Sequence, residues 1–139
     1  EGVYAQDPYE LLMIGGYGVE SITDPMKDYV TYAPVTTASG WLDVHSNGKK
    51  WQLGLLAGYS QNMGADQDFS GATYQRGANI AYLYRISPRF IYNSGKFRIA
   101  PEIEYTVAAY GKTIKADGTV EDTKEIGNLR ILFGVYYFF

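Results

Sequence analysis

The residue types best able to do chemistry in this chain are four arginines and two glutamates: Arg85, Arg89, Arg98 and Arg130, with Glu102 and Glu104. Arg85 and Arg89 are an even number of positions apart, as are Glu102 and Glu104. In an extended backbone, even spacing puts side chains on one face. Asp43, Gln52 and Asn79 fall on the matching face of neighbouring extended segments. Such a wall of guanidinium and carboxylate groups has two uses. It can set a transverse field that orients and filters dissolved solutes, or it can form cross-strand ion pairs that hold register, at ~0.2–1 kcal/mol each. Both uses put these nine side chains on one polar wall.

Other chemistry finds little footing. His45 is the single histidine. Asp43 shares its face, but no serine is placed to be activated, so no enzyme is expected. Cysteine is absent, which removes disulfides and thiolate ligands. Without clustered His and Cys ligands no metal site is expected, and no cofactor either. Asp66-Gln67-Asp68 lies in a polar stretch, where it is either solvated or open to a divalent ion. The glycines of GGYG (15–18) precede no helix and do not make a nucleotide loop. A net charge of -3 with no basic cluster along the chain argues against a nucleic-acid partner.

The elements that must hold the charged wall are β-strands. From Asn128 to Phe139 one parity, Leu129, Ile131, Phe133, Val135, Tyr137 and Phe139, is wholly apolar. The other parity is mixed, as in a strand with one greasy face. Going back along the chain, a polar lead (1–8) precedes a strand over 9–20, whose apolar parity includes Tyr17 and Val19. Strands over 36–46 and 49–62 flank Asn47-Gly48, a pair suited to a two-residue turn. That register sets Val44 against Trp51 and Leu42 against Leu53, and lays Trp41 over Gly54. Strands over 78–93 and 96–111 flank Ser94-Gly95. There Ile80, Tyr82, Tyr84, Ile86, Pro88, Phe90 and Tyr92 share the apolar face with Phe97 to Ala109 of alternate parity, and Pro88 opposes Pro101. Stretches 21–35, 63–77 and 112–127 read as long loops.

Aromatics make up 16% of the chain, yet mean hydropathy is -0.22. Alternating strands produce that combination, because each apolar residue is averaged with a polar neighbour. No apolar run approaches the ~20 residues of a membrane helix. Short turns alternate with long loops, and Trp51, Tyr59, Tyr82, Tyr92, Phe97, Tyr137 and Phe139 lie towards strand ends on the apolar face. The expectation is an all-β fold: an antiparallel transmembrane β-barrel with a charged lumen. Six strands are too few to close around that lumen, since single-chain barrels start at eight. The six are therefore the C-terminal part of a larger meander barrel, or several copies share one barrel.

The terminal LFGVYYFF resembles the outer-membrane β-signal read by the barrel-assembly machinery, through Gly134, Tyr137 and Phe139. Leu132 stands where that signal carries a polar residue. SNGKKWQLGLLAGYSQN, YRISPRFIYNSGKFRIAPEIEYTVAAYG and NLRILFGVYYFF resemble the C-terminal strands of large Gram-negative porins, including relatives of the DcaP-like trimeric porins. The resemblance covers about 36–139. It implies a barrel of about sixteen strands in the outer membrane, trimeric, passing small hydrophilic solutes. Its surroundings would be outer-membrane lipid and lipopolysaccharide, with the homotrimer or the rest of the barrel as neighbour. The alternative is a structural or adhesive outer-membrane barrel whose outside loops bind a partner.

Overall fold

A computed structural model describes residues 1–8, 12–24, 26–27 and 29–139. Eight strands form: β1 (Gly2–Gln6), β2 (Gly15–Asp24), β3 (Tyr29–His45), β4 (Trp51–Ala65), β5 (Thr73–Arg76), β6 (Ile80–Ser94), β7 (Phe97–Ile114) and β8 (Val120–Tyr137). All pairings are antiparallel, in the order β5-β2-β3-β4-β6-β7-β8. β1 and β2 share one edge of β3, β1 along Thr36–Gly40 and β2 along Tyr29–Pro34. The sheet curls into a half-barrel, with no helix among the described residues.

The alternation expected for the long strands holds, but several boundaries and registers differ. The stretch expected over 9–20 begins its pairing at Gly15, and Tyr9–Leu11 lie outside the described residues. Val19 is buried at 7% exposure, against the side of Gly71, rather than facing outward. Much of the expected loops is strand. β2 and β3 pair up to Asp24 and Tyr29, and β7 and β8 pair up to Ile114 and Val120. The polar lead supplies β1.

Both tight turns move. The first connection is Ser46–Lys50, not Asn47-Gly48 alone, and neither Asn47 nor Gly48 has positive φ. Ser46 explains the wider loop: its amide donates to Leu53 O at 2.8 Å, and its Oγ accepts from Leu53 N at 3.0 Å. Val44 consequently opposes Leu55, and Leu42 opposes Ala57. Trp41 lies opposite Gly58 rather than Gly54. The second turn is Gly95-Lys96, with Gly95 at φ 56°. This two-position shift separates the prolines across β6 and β7, and on their other edges Pro88 opposes Leu55 and Pro101 opposes Phe133. Both shifts are even, and an even shift leaves every side chain on its own face.

At the end away from these turns, small residues allow tight layering. Phe69 is wedged between β2 and the β7–β8 turn. Its ring atoms stand 2.5 Å from where a Cβ on Gly18 would be, and 2.8 Å from one on Gly118. Ser70 N donates to Val19 O at 2.8 Å, and Phe69 N to Ala116 O at 2.7 Å. Gly118 also has φ 79°, so an added side chain would be strained as well as blocked. Gly118→Ala should lower stability by upwards of ~1 kcal/mol in denaturant unfolding. Gly40→Ala, whose Cβ would meet nothing nearer than 3.8 Å, should change it far less.

Candidate functional site

The two faces of β3, β4, β6, β7 and β8 differ in chemistry and in exposure. One parity carries Asp43, Gln52, Arg85, Arg89, Arg98, Glu102, Glu104 and Arg130, as the register requires. On this face Ser87 and Leu83 are buried, and the side chains of Arg89 and Glu104 are only 28% and 16% exposed. The opposite face leaves Leu53 at 65% and Ile131 at 72%. Arg130 and Asp43 are more open, at 62% and 42%, but central polar residues shielded while aliphatic residues are bare is the reverse of a water-soluble sheet. It marks the polar face as the concave one.

Eight of the nine residues expected on the polar wall are therefore together. Asn79 is not among them. It precedes β6 in a turn, and its carbonyl accepts from Gly111 N at 2.8 Å. The bulge between Ile80 and Tyr82 takes it out of the ladder.

The charged groups form a connected wall. Arg89 crosses β4 to pair with Asp43 on β3. Gly54 makes that crossing possible: a Cβ there would stand 2.7 Å from Arg89 Cγ and 2.8 Å from Nε. Glu102, the backbone partner of Arg89, instead accepts from Ser87 Oγ. Glu104 sits between two cations, with Arg85 Nη1 at 3.4 Å and Arg130 Nη1 at 3.9 Å. Arg85 Nε also donates to Thr106 Oγ1 at 3.0 Å. Among the described residues Arg98 has no carboxylate partner. Its Nε donates to Asn93 Oδ1 at 2.8 Å, and its guanidinium lies 5.6 Å from the Phe138 ring centre. With both signs present on one partly wet wall, each pair contributes modestly to stability, but the fixed positions shape the local field.

The aromatic side chains of the exposed face fall into two bands. At the end of the tight turns, Trp51 packs against Tyr92 (4.2 Å between ring centres) and Phe90, and Phe97 against Tyr137 (4.9 Å). Phe139 meets Tyr137 edge-on. Towards the other end, Tyr59 stacks on Tyr82, whose hydroxyl donates to Glu125 Oε1 at 2.8 Å. Between the bands the face is mainly aliphatic, with Leu53, Leu55, Ile86, Ile103, Ile131 and Val135, and Phe133 and Tyr105 stand among them. Of the residues that carry the resemblance to the β-signal, Gly134 lies opposite Ala100 and Tyr137 opposes Phe97.

Sequence reading missed the far-end latch. The turn 115–119 reaches past β6 to the end of β4, where Ala65 N donates to Asp117 O at 2.7 Å and Asn62 Nδ2 to Gly118 O at 2.9 Å. Asp-Gly at 117–118 is a pair that favours a turn, a signal within the stretch read as a long loop, but the partner of that turn is remote in sequence. A second missed feature is a concave-side cavity of about 270 Å³, where Leu12 and Met13 approach Trp41, Leu56, Leu83 and Arg85. Among the described residues no group of three His, Cys, Asp or Glu is arranged to hold a metal.

Comparison with protein-family models, with curated proteins and with solved structures finds no match to this chain. Function must be argued from the geometry itself.

The latch has its own pH dependence. Burial alone would raise the Asp117 carboxyl, but donation from Thr119 N (2.8 Å) and Thr119 Oγ1 (2.6 Å), with Lys115 nearby, outweighs it and holds the carboxyl below the usual range. A lowered folded-state pKa stabilises the fold above the ordinary carboxyl pKa, about 4. That contribution disappears as pH falls through the lower folded value. Hydrogen exchange at Ala65, Phe69 and Gly118 should therefore quicken selectively below about pH 4. Asp117→Asn should show fast exchange at these amides already at neutral pH.

Proposed function

We propose that this chain forms part of the wall of an outer-membrane β-barrel porin, whose charged concave face lines a water-filled path for small hydrophilic solutes. The observation that carries this reading is the bare, mainly aliphatic belt on the convex face, with aromatic clusters towards both ends. Tyr92 and Tyr82 are ten positions apart on β6, about 33 Å along an extended strand. Tilted by ~40°, that spans about 25 Å, the height of the apolar belt of an outer-membrane barrel.

The free edge of β8 supports a larger barrel. β8 runs for 18 residues and, among the described residues, pairs along one side only, with β7. In hydrocarbon, unpaired backbone groups cost several kcal/mol each, so the proposed bilayer demands a further strand there. The rest of the same barrel, or another copy, would supply it. The resemblance to trimeric porins of about sixteen strands suits this demand. The same edge carries Gly134, Tyr137 and Phe139, where the assembly machinery would engage it.

A second reading, an adhesive or structural barrel, draws on the β2–β3 and β7–β8 hairpins. Both extend beyond the upper aromatic band and could meet a partner. Bilayer conductance separates the two: stable open steps belong to a porin, and a folded but silent barrel to the alternative.

The two tryptophans give a direct test of the membrane placement, because Trp51 is on the apolar face and Trp41 on the polar one. In bilayers of lipids with brominated tails, Trp41→Phe protein, reporting Trp51, should be strongly quenched. Trp51→Phe protein, reporting Trp41, should be quenched little by the lipid and readily by iodide. Equal lipid quenching of both would overturn the barrel reading.

The charged wall is tested separately. Replacing Arg85 and Arg89 with Ser leaves Asp43 and Glu104 short of their partners. Conducting channels of the double variant should shift measurably towards cations in reversal potential. An unchanged reversal potential would leave those arginines a purely structural role.

A further inference from the structure

The rim at the tight-turn end collects positive charge that the linear sequence disperses. The stretches 44–55, 90–101 and 131–139 meet there and contain Lys49, Lys50, Lys96 and Arg98, with no Asp or Glu. Carboxylates begin only at Asp43 and Glu102, one level deeper, where Arg89 and Ser87 occupy them. At the opposite end, carboxylates outnumber cations, among them Asp66, Asp68, Asp117 and Glu121. The absence of a basic run along the chain is thus no guide to its surface.

This rim is held in place by its backbone. Asn93 joins the two turns: its amide donates to Lys50 O at 2.9 Å and its Nδ2 to Lys49 O at 3.2 Å. Phe138 N donates to Lys96 O at 2.9 Å, tying the end of β8 to the second turn. The lysine side chains remain uncommitted by comparison. Neither Lys49 nor Lys96 has an ion pair among the described residues, and Lys50 Nζ lies 5.7 Å from the Tyr92 ring centre. Cations thus stand directly beyond the Trp51–Tyr92 and Phe97–Tyr137 aromatic pairs.

We infer that this rim docks on the phosphate headgroups of anionic phospholipid in the leaflet that meets the tight turns. The inference rests on the membrane-barrel reading above. Aromatic rings favour the headgroup level and long basic side chains reach past them to phosphate. A rim without Asp or Glu presents no acidic side chain to compete for the lysines. Charge also sorts the two ends: the acidic end repels the same headgroups, so the rim assists one direction of insertion over the other.

The test is folding of the full chain into phosphatidylcholine vesicles, with and without phosphatidylglycerol, followed by strand signal and by gel mobility before and after heating. Phosphatidylglycerol should accelerate insertion of the unsubstituted chain, and high salt should abolish the gain. A lysine near an anionic surface contributes about fivefold to membrane affinity. The triple variant Lys49→Gln, Lys50→Gln, Lys96→Gln should therefore insert normally into phosphatidylcholine and lose most of the gain. Lys112→Gln, Lys115→Gln, Lys124→Gln, which removes equal charge from the other end, should keep it. Equal gain in the two triple variants overturns the rim assignment alone. Loss of the gain on adding inorganic phosphate at constant ionic strength would mark a site for free anions and overturn docking to a membrane. Failure to insert into either lipid when the strands that complete the barrel are present overturns the barrel reading and the rim assignment together.

Discussion

The pleat is the constraint on which this structure depends. Because successive side chains point to opposite faces, each strand must choose which parity to hide. Here the register of five long strands hides the charged parity and bares the aliphatic one. Arg89 shows how far the concave face is built around that choice. Its guanidinium crosses a whole strand to reach Asp43, and only the missing side chain of Gly54 leaves room. Glu104 is similarly gripped from both sides by Arg85 and Arg130 on adjacent strands. Isolated surface pairs of this kind contribute little to stability. Their effect is positional: they fix where each charge stands on a curved wall.

The two ends of the sheet are made by different means. At the tight-turn end, Ser46 closes its own loop on Leu53, and Asn93 and the Phe138 amide bind carbonyls of a neighbouring turn. At the other end an aromatic plug and a turn that reaches across a whole strand do the joining. Phe69 fills the space above Gly18 and Gly118, while Asp117 and Gly118 carbonyls serve donors on β4. The far hairpins are thus braced against one another instead of waving separately. That bracing gives a charged carboxyl, Asp117, a mechanical role beyond its own turn.

Faces were legible from the residues, and turns were not, for one reason. Alternation has a period of two, so an error of two or four positions leaves parity intact. The Ser46–Lys50 loop shifted its hairpin by four positions and Gly95-Lys96 shifted the other by two, yet Asp43, Gln52 and six further wall residues still share a face. Asn79 failed because a bulge breaks parity. The outer hairpins were illegible for a related reason. Thr113, Glu121 and Lys124 are polar on both faces, so the strand there shows no contrast to read. The latch could not be found at all, since Asn62 and Gly118 are far apart in sequence and neither is unusual alone.

The edge of β8 adds a last constraint under the barrel reading. Strands β3, β4, β6, β7 and β8 alternate in direction, and the turns Ser46–Lys50 and Gly95-Lys96 lie at one end. The strand completing the free edge of β8 must oppose it in direction if the antiparallel ladder continues. Pairing β8 with β8 of a second copy would meet that demand only by inverting one copy across the bilayer. The basic rim would then face both leaflets, and the braced hairpins would too. A strand running in the direction of β7 avoids this, because its own short turns fall on the side of Lys49 and Lys96. Whatever completes the wall therefore joins β8 through an edge of opposite polarity, head to tail around the barrel, and not through a twofold contact of like edges.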